Sequence, residues 1–336
     1  MNLPPIATTT IGSFPRPRWL ADQERSEVTF RLEGEALGEA QDDATRLVIG
    51  AQERVGLDLL TDGEQRRPQF IYHVLSSMDG FDFVKRHAKA IRRRSDVERM
   101  VPRVVGPVRR RAPAVVDDLS FAKAQTLRPV KMAVPGPVTV VDSTYDEFYG
   151  DEAALAMDVA AALNQELREL QTAGCDVIQI DEPAMTRYHE KAAAYGVRAL
   201  DRCLEGITIP TIVHLCYGYP GGGKRQHEYE YPELIALLMQ TRIGGFSLEF
   251  ARSGYDPALL KLCGDRLVVF GCVDPGDTPP EPVEKVVARA RPALAYVKPS
   301  RLLLAPDCGL MTIGRELALA KAALLVQAAQ ELRRTL

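Results

Sequence analysis

Nowhere in the 336 residues do eighteen apolar residues follow one another, so a membrane-spanning helix of ordinary length is excluded. The N-terminal MNLPPIATTTIGSFP also lacks a basic leader followed by an apolar stretch, and a cytoplasmic protein is expected. An excess of positive charge is missing too: 42 basic residues against 45 acidic ones leave a net charge of −3. No overall field therefore exists to hold nucleic acid or an anionic membrane, and a small-molecule partner is expected. Cysteine is scarce, with six residues (Cys175, Cys203, Cys216, Cys263, Cys272 and Cys308) spread over the second half. That spacing excludes a disulfide scaffold and leaves thiols, some available to a metal. The remainder, 46% hydrophobic and 26% charged with 25 Gly and 23 Pro, describes a globular chain rather than a disordered, collagenous or coiled-coil one.

Short β-branched or apolar runs alternate with longer helix-period segments, the pattern of repeated βα units and a parallel sheet. The predicted strands are Ile6–Ser13, Leu57–Asp62, Val130–Val134, Asp176–Ile180, Thr211–Cys216, Gly245–Phe250, Leu267–Val273 and Arg301–Ala305. Helices are predicted over Val28–Arg54, Asp151–Ala173, Tyr188–Leu204, Pro232–Gln240, Pro257–Leu262, Pro282–Val297 and Gly314–Arg333, the last with an apolar stripe of Leu317, Leu319, Ala320, Ala323, Leu324 and Ala328. Eight such units close naturally into an α/β fold of the (β/α)8 TIM-barrel type, here a single catalytic barrel over 1–336. Between the second and third strands, residues 81–117 break the pattern: basic, Pro-interrupted and partly alternating, they predict a β-hairpin excursion with stretches Arg103–Val108 and Ala112–Val116, then a short helix around Leu119–Thr126. Its arginines Arg92, Arg93, Arg94, Arg109, Arg110 and Arg111 form either a solvated face or a surface for an anionic partner, without an aromatic ladder that would mark nucleic acid.

Barrel enzymes build their sites where strands end, so polar residues at strand C-termini are the candidates. Strand five ends in TIVHLCYGYP, where His214 and Cys216, two apart, share one face of an extended chain. Strand six ends in FSLEFARSG with Glu249, and strand eight in LLLAPDCGL with Cys308. An isolated buried His or Cys is more often a satisfied core residue than a ligand. One imidazole, two thiols and a carboxylate at three consistent strand ends instead match tetrahedral zinc, and the sulfur pair argues against magnesium or calcium. Such a set leans toward activating a substrate thiol rather than water.

Three further strand ends carry substrate-binding groups. TTTIGSFP supplies Ile11, Gly12 and Ser13, where Gly permits close backbone approach and Ser can bind a carboxylate. TDGEQRR supplies Asp62 and Glu64, and IQIDEPAM supplies Asp181 and Glu182, carboxylates suited to a substrate ammonium unless they cap the helices that follow. The Gly-rich GYPGGGKRQHEY after strand five, with Gly221, Gly222 and Gly223, is either a movable cover or a linker.

Taken in order, TTTIGSFP, DGEQ, PGPVT, IQIDEPA, HLC, SLEFARS and APDCGL make the chain resemble the catalytic C-terminal barrel of cobalamin-independent methionine synthase over nearly its whole length. The resemblance implies a zinc enzyme in which homocysteine sulfur attacks a methyl group, with His214, Cys216, Glu249 and Cys308 as ligands and Ile11, Gly12, Ser13, Glu64 and Asp181 holding homocysteine. The chain is similar to the short, core forms, because the N-terminal barrel of the folate-dependent enzyme has no room here. Where that enzyme has a pterin-supporting tryptophan, this chain has Ser143 in VVDSTYDEF, with Tyr145 and Phe148 as nearby substitutes. Where it has a proton-delivering histidine after strand seven, this chain has Gly276 in GCVDPGDTPPEP, leaving Asp274 or Asp277 as the expected acid. Both losses favour a methylcorrinoid, as methylcobalamin or on a carrier protein, over methyltetrahydrofolate as donor. The alternative is a zinc alkyltransferase acting on another thiol, such as coenzyme M with an epoxide, whose sulfonate would meet Glu64 and Asp181 unfavourably.

Overall fold

A computed structural model describes residues 3–24, 27–90, 98–217 and 231–336. Among them the strands are β1 (Ala7–Thr8), β2 (Ala21–Glu24), β3 (Glu27–Phe30), β4 (Met78–Ala90), β5 (Glu98–Arg110), β6 (Lys131–Pro135), β7 (Tyr145–Asp146), β8 (Val177–Asp181), β9 (Thr211–Leu215), β10 (Gly245–Glu249), β11 (Leu267–Val273) and β12 (Leu302–Pro306). The helices are α1 (Gly34–Val55), α2 (Phe70–Leu75), α3 (Val116–Ala124), α4 (Pro137–Asp142), α5 (Glu152–Thr172), α6 (His189–Lys191), α7 (Val197–Cys203), α8 (Tyr231–Leu238), α9 (Val283–Ala290) and α10 (Arg315–Arg333). None is long and apolar enough to cross a membrane.

Seven strands pair in parallel in the order β1, β12, β11, β10, β9, β8, β6. Two parallel bridges, Thr9 with Leu59 and Leu60 with Val130, close the gap between β1 and β6, so the predicted second strand is reduced to those contacts and the (β/α)8 ring is complete. Side chains alternate along each strand, and Ala7, Leu59, Val177, Ile212, Val269 and Leu303 form a cluster of their own inside the ring, separate from the larger core between strands and helices. The same alternation then carries Gln179 and Asp181, His214 and Cys216, and Ser247 and Glu249 upward on the inward faces. The lower barrel is thus apolar and its C-terminal end polar. α10 covers the outside with Ala318, Ala322, Leu325, Ala329 and Leu332 buried at alternating four- and three-residue steps. Its buried face is rotated from the predicted stripe: Leu317, Leu319 and Ala323 are half-buried and Ala320 is exposed.

Two other predictions need correction. The helix expected from Val28 begins at Gly34, because Glu27–Phe30 (β3) pairs antiparallel with Ala21–Glu24 (β2), and Val28 is buried there. Ala112–Val116 is not a strand: the Glu166 carboxylate of α5 accepts the backbone N–H groups of Ala114 and Val115 at 2.8–3.1 Å and so replaces a sheet partner. The hairpin excursion itself runs from the Met78–Arg110 pair to the Ala90–Glu98 pair. Arg110 donates to Glu166 at 2.8 Å and forks onto Glu169 at 2.6 and 2.7 Å, while Arg103 bridges Asp82 and Glu147, each at 2.6 Å. Lys89 donates to the carbonyls of Val141 and Thr144 at 2.9 and 2.7 Å, a cation at the C-terminal end of α4. These pairs tie the arm to the barrel beside the site. Arg92, Arg93, Arg94 and the Gly221–Gly223 segment lie outside the described residues.

Candidate active site

His214, Cys216 and Cys308 meet at the C-terminal end of the barrel. One ligand atom from each lies within 4.8 Å of the others, and all three residues are buried. His214 Nδ1 is within 3.0 Å of Ser247 Oγ on the neighbouring strand, which fixes the ring and turns Nε2 inward. There Nε2 is buried with no oxygen or nitrogen partner. Burial opposes protonation of this ring, but the adjacent Cys216 sulfur and Asp181 outweigh it and raise its pKa. The Cys308 thiol is pushed well above its ordinary range, first by its hydrogen bond to Cys216 and then by burial. An unsatisfied imidazole nitrogen beside two sulfurs, with the other ring nitrogen anchored, fits a thiophilic tetrahedral ion. Glu249 is buried at the adjoining strand end, where Oε1 accepts the Tyr217 N–H at 3.0 Å, and its carboxylate lies outside the three-residue group.

A cavity of about 170 Å³ opens over the cluster. Of the predicted substrate residues, Ile11, Ser13, Glu64 and Asp181 line it. Gly12 stands behind them: a Cβ there would come within 2.5 Å of Glu64 Oε1, so a side chain at this place in TTTIGSFP would have to displace the carboxyl it backs. Glu64 is held at φ 55°, a conformation that costs a non-glycine residue of order 1 kcal/mol and is stabilised here by surrounding contacts. Its N–H donates to Asp62 Oδ1 at 3.1 Å, and Arg16 donates to its carbonyl and, at 2.6 Å, to that of Arg67. Burial raises the Glu64 pKa to about 7 and that of Asp181 to about 6. Both are poised to accept a cation that restores their charge.

A family model described as the catalytic domain of cobalamin-independent synthase matches residues 6–331. The methionine synthase of Sulfurisphaera tokodaii is 32% identical over 321 residues, 95% of this chain and 90% of that one. That of Pyrococcus horikoshii is 31% identical over 338 residues, 100% of this chain and 95% of its own. A B12-independent methionine synthase from Shewanella sp. W3-18-1, solved in complex with selenomethionine, superposes with a TM-score of 0.93 at 34% identity, covering 99% of each chain. The chain belongs to the cobalamin-independent methionine synthase family. It is accordingly a methyltransferase of the methionine synthase type.

Several residues of this methionine synthase-family site were not among the candidates read from the sequence, although Gln179 and Asp307 lie inside the motifs IQIDEPA and APDCGL. Lys131, fully buried inside the barrel, donates to the carbonyls of Thr10 and Ile11 at 2.7 and 3.3 Å and to Gln179 Oε1. Gln179 in turn donates to the Ile11 carbonyl at 2.8 Å and to Asp181 Oδ1 at 2.7 Å. This chain fixes the first loop and Asp181 together, and burial lowers the lysine pKa to about 7 against the pull of Asp181 and Glu64. Tyr231 of α8 clamps β9 to β10, its hydroxyl donating to the Leu215 carbonyl at 2.8 Å and accepting the Glu249 N–H at 3.1 Å. Asp307, beside Cys308, accepts the N–H groups of Phe250, Ala251 and Arg252 at 2.8–3.0 Å and so fastens the loop after Glu249. Phe70, Tyr72 and Met311 supply the cavity's apolar wall, and Asp142 pairs with Arg187 at 3.4 Å on its rim.

Other predicted groups do different work. Glu182 caps α4, accepting the N–H groups of Val138 and Thr139 at 2.9 Å each, and Gly136 leaves the space: a Cβ there would lie 2.3 Å from the carboxyl carbon. Asp62 faces Arg67 at 3.3 Å. Asp274 and Asp277 do not line the cavity; Asp274 accepts the Gly276 N–H at 2.8 Å and faces Arg252 at 3.4 Å, and Asp277 is exposed. The register between β11 and β12 shifts at Gly271–Val273, and Lys321 holds the carbonyls of Asp274 and Gly276 at 2.6 Å each, drawing this loop against α10. Ser143 lines the cavity, whereas Tyr145 stacks on His87 at 3.4 Å and Phe148 is exposed.

Proposed function

We propose that the protein methylates the thiol of homocysteine to form methionine, with zinc held by His214, Cys216 and Cys308, and Glu249 completing the set. The observation that carries this reading is the placement of the imidazole and two thiols across one small cavity from Glu64 and Asp181. Bound zinc supplies Lewis-acid lowering of a thiol pKa, so that sulfur is a thiolate at neutral pH. The chain's own residues do the rest. Glu64 and Asp181 take the substrate ammonium, and the Ile11–Ser13 segment receives the carboxylate. Ser247 orients the imidazole. Lys131 and Gln179 hold the first loop and Asp181 in register, so the reacting sulfur is presented in a fixed direction.

The donor in this reading is a methylcorrinoid rather than methyltetrahydrofolate. Independence from cobalamin as a resident cofactor is compatible with a methylcorrinoid arriving as substrate. The new S–CH3 bond forms as the Co–CH3 bond breaks. Cobalt leaves with the electron pair, and the thiol proton has already passed to solvent. No protonation of a leaving nitrogen is needed, which agrees with the absence of Asp274 and Asp277 from the cavity lining and with Tyr145 being taken up by His87. The test is methionine formation by the zinc-loaded protein, with methylcobalamin and methyltetrahydrofolate supplied in parallel. Methionine from the corrinoid alone is expected; turnover with the folate alone would overturn the donor assignment and leave the acceptor assignment standing.

A further inference from the structure

A second hollow, of about 600 Å³, adjoins the first and shares Met311 with it. It lies between the segment after β1 and the approach to α10, and its walls include Arg16, Arg18, Trp19, Arg31 and Arg315. The cations are not alike. Arg16 is buried and braces the carbonyls of Glu64 and Arg67, so one segment forms both the back of the homocysteine clamp and a wall of this hollow. Arg31 is matched by Asp22. Arg18 and Arg315 have no acidic partner among the described residues, and Arg315 is the first residue of a nineteen-residue helix, where the helix dipole disfavours a cation. Trp19, the chain's one tryptophan, is 47% exposed on the same wall. Two unmatched guanidinium groups beside an uncovered indole recognise an anion attached to an aromatic group, through charge-assisted hydrogen bonds and stacking.

We propose that this hollow binds the phosphate-bearing nucleotide tail of the methylcorrinoid donor, its base released from cobalt and swung to the side of the ring, while the methyl group on the other face enters the first cavity past Met311. This assignment rests on the methylcorrinoid reading above. The tail carries a phosphodiester next to a planar base, the two features that Arg18, Arg315 and Trp19 complement. The first cavity, at about 170 Å³, leaves the bulk of such a donor outside, and the second hollow borders it at Met311.

The experiment compares methylcobalamin with methylcobinamide, which lacks the phosphate and base, as donors to zinc-loaded wild type and to the Arg18→Glu, Arg315→Glu double variant. Wild type is expected to prefer methylcobalamin roughly tenfold in kcat/KM, a preference that shrinks with added salt, and the double variant to bring the ratio near one. Zinc content and melting temperature verify that the variant is folded; should it not be, Arg18→Ala at its exposed position is read in its place. Equal use of both corrinoids by wild type, or an undiminished preference in the variant, overturns the assignment. Methionine from methyltetrahydrofolate with neither corrinoid accepted overturns the donor reading itself and this assignment with it.

Discussion

Replacing Cys308 with alanine is expected to strip the protein of zinc and lower methionine formation by roughly a thousandfold or more, the scale on which removal of one charge-stabilising group acts. The fold should survive. Cys308 belongs to no strand or helix, and the neighbouring Asp307, which ties the loop after Glu249, is untouched. The melting temperature of the metal-free protein should therefore change by only a few degrees, whereas the zinc-dependent increment expected of wild type should be absent, because a ligand stabilises only the state that binds it. Metal analysis, thermal melting and a methionine assay on the same preparation check all three. A Cys308→Ala protein that keeps one zinc and full activity would remove the sulfur cluster from the account.

Glu64→Gln is expected to act in opposite directions on function and stability. Loss of the charge facing the substrate ammonium should raise the KM for homocysteine roughly a hundredfold, in the range for leaving a charged partner unmatched. In the substrate-free protein, burial holds the Glu64 pKa near 7 against an unperturbed 4.5. Below pH 4.5 the carboxyl is protonated folded or unfolded and contributes no penalty. Between pH 4.5 and 7 the unfolded chain releases the proton first, so stability falls as pH rises, by roughly 3 kcal/mol once the native group also ionises. Glutamine carries no such penalty. The variant should thus melt several degrees above wild type at pH 8 and close to it at pH 4.5. The wild-type KM for homocysteine should itself fall from pH 6 to pH 8 as Glu64 becomes charged. A variant less stable than wild type at pH 8 would show that Glu64 is a structural carboxylate rather than a binding one.

Much of this site was legible because barrel enzymes place chemistry at strand ends, and strand ends can be read from β-branched runs stopped by Gly, Pro or Asp. TIVHLC put His214 and Cys216 on one face by alternation alone, and APDCGL put Cys308 past a Pro-Asp corner; the structure brings all three together. The parts that were not legible depend on closure of the ring. Lys131 reads as a lysine at the head of a strand, and its partners, Thr10, Ile11 and Gln179, come from two other strand regions far along the chain. Ser247 likewise acquires meaning only when β10 pairs with β9 and lays it opposite His214. Glu182 was indistinguishable in sequence from Asp181, but alternation sends the two to opposite sides, one into the cavity and one beneath α4. Asp274 followed the strand-end rule and still lies elsewhere, because a register shift in β11 and the buried Lys321 redirect its loop.

The central claim is that one amino-acid thiol spans the cavity, sulfur toward His214, Cys216 and Cys308 and ammonium toward Glu64 and Asp181. Calorimetric titration of the zinc-loaded protein with homocysteine and, separately, with 2-mercaptoethanesulfonate tests it most directly. Two charge-assisted contacts to the ammonium should make homocysteine bind roughly a hundredfold more tightly than the sulfonate thiol. Equal affinities, or tighter binding of the sulfonate, would contradict the account and move the protein to a different thiol substrate.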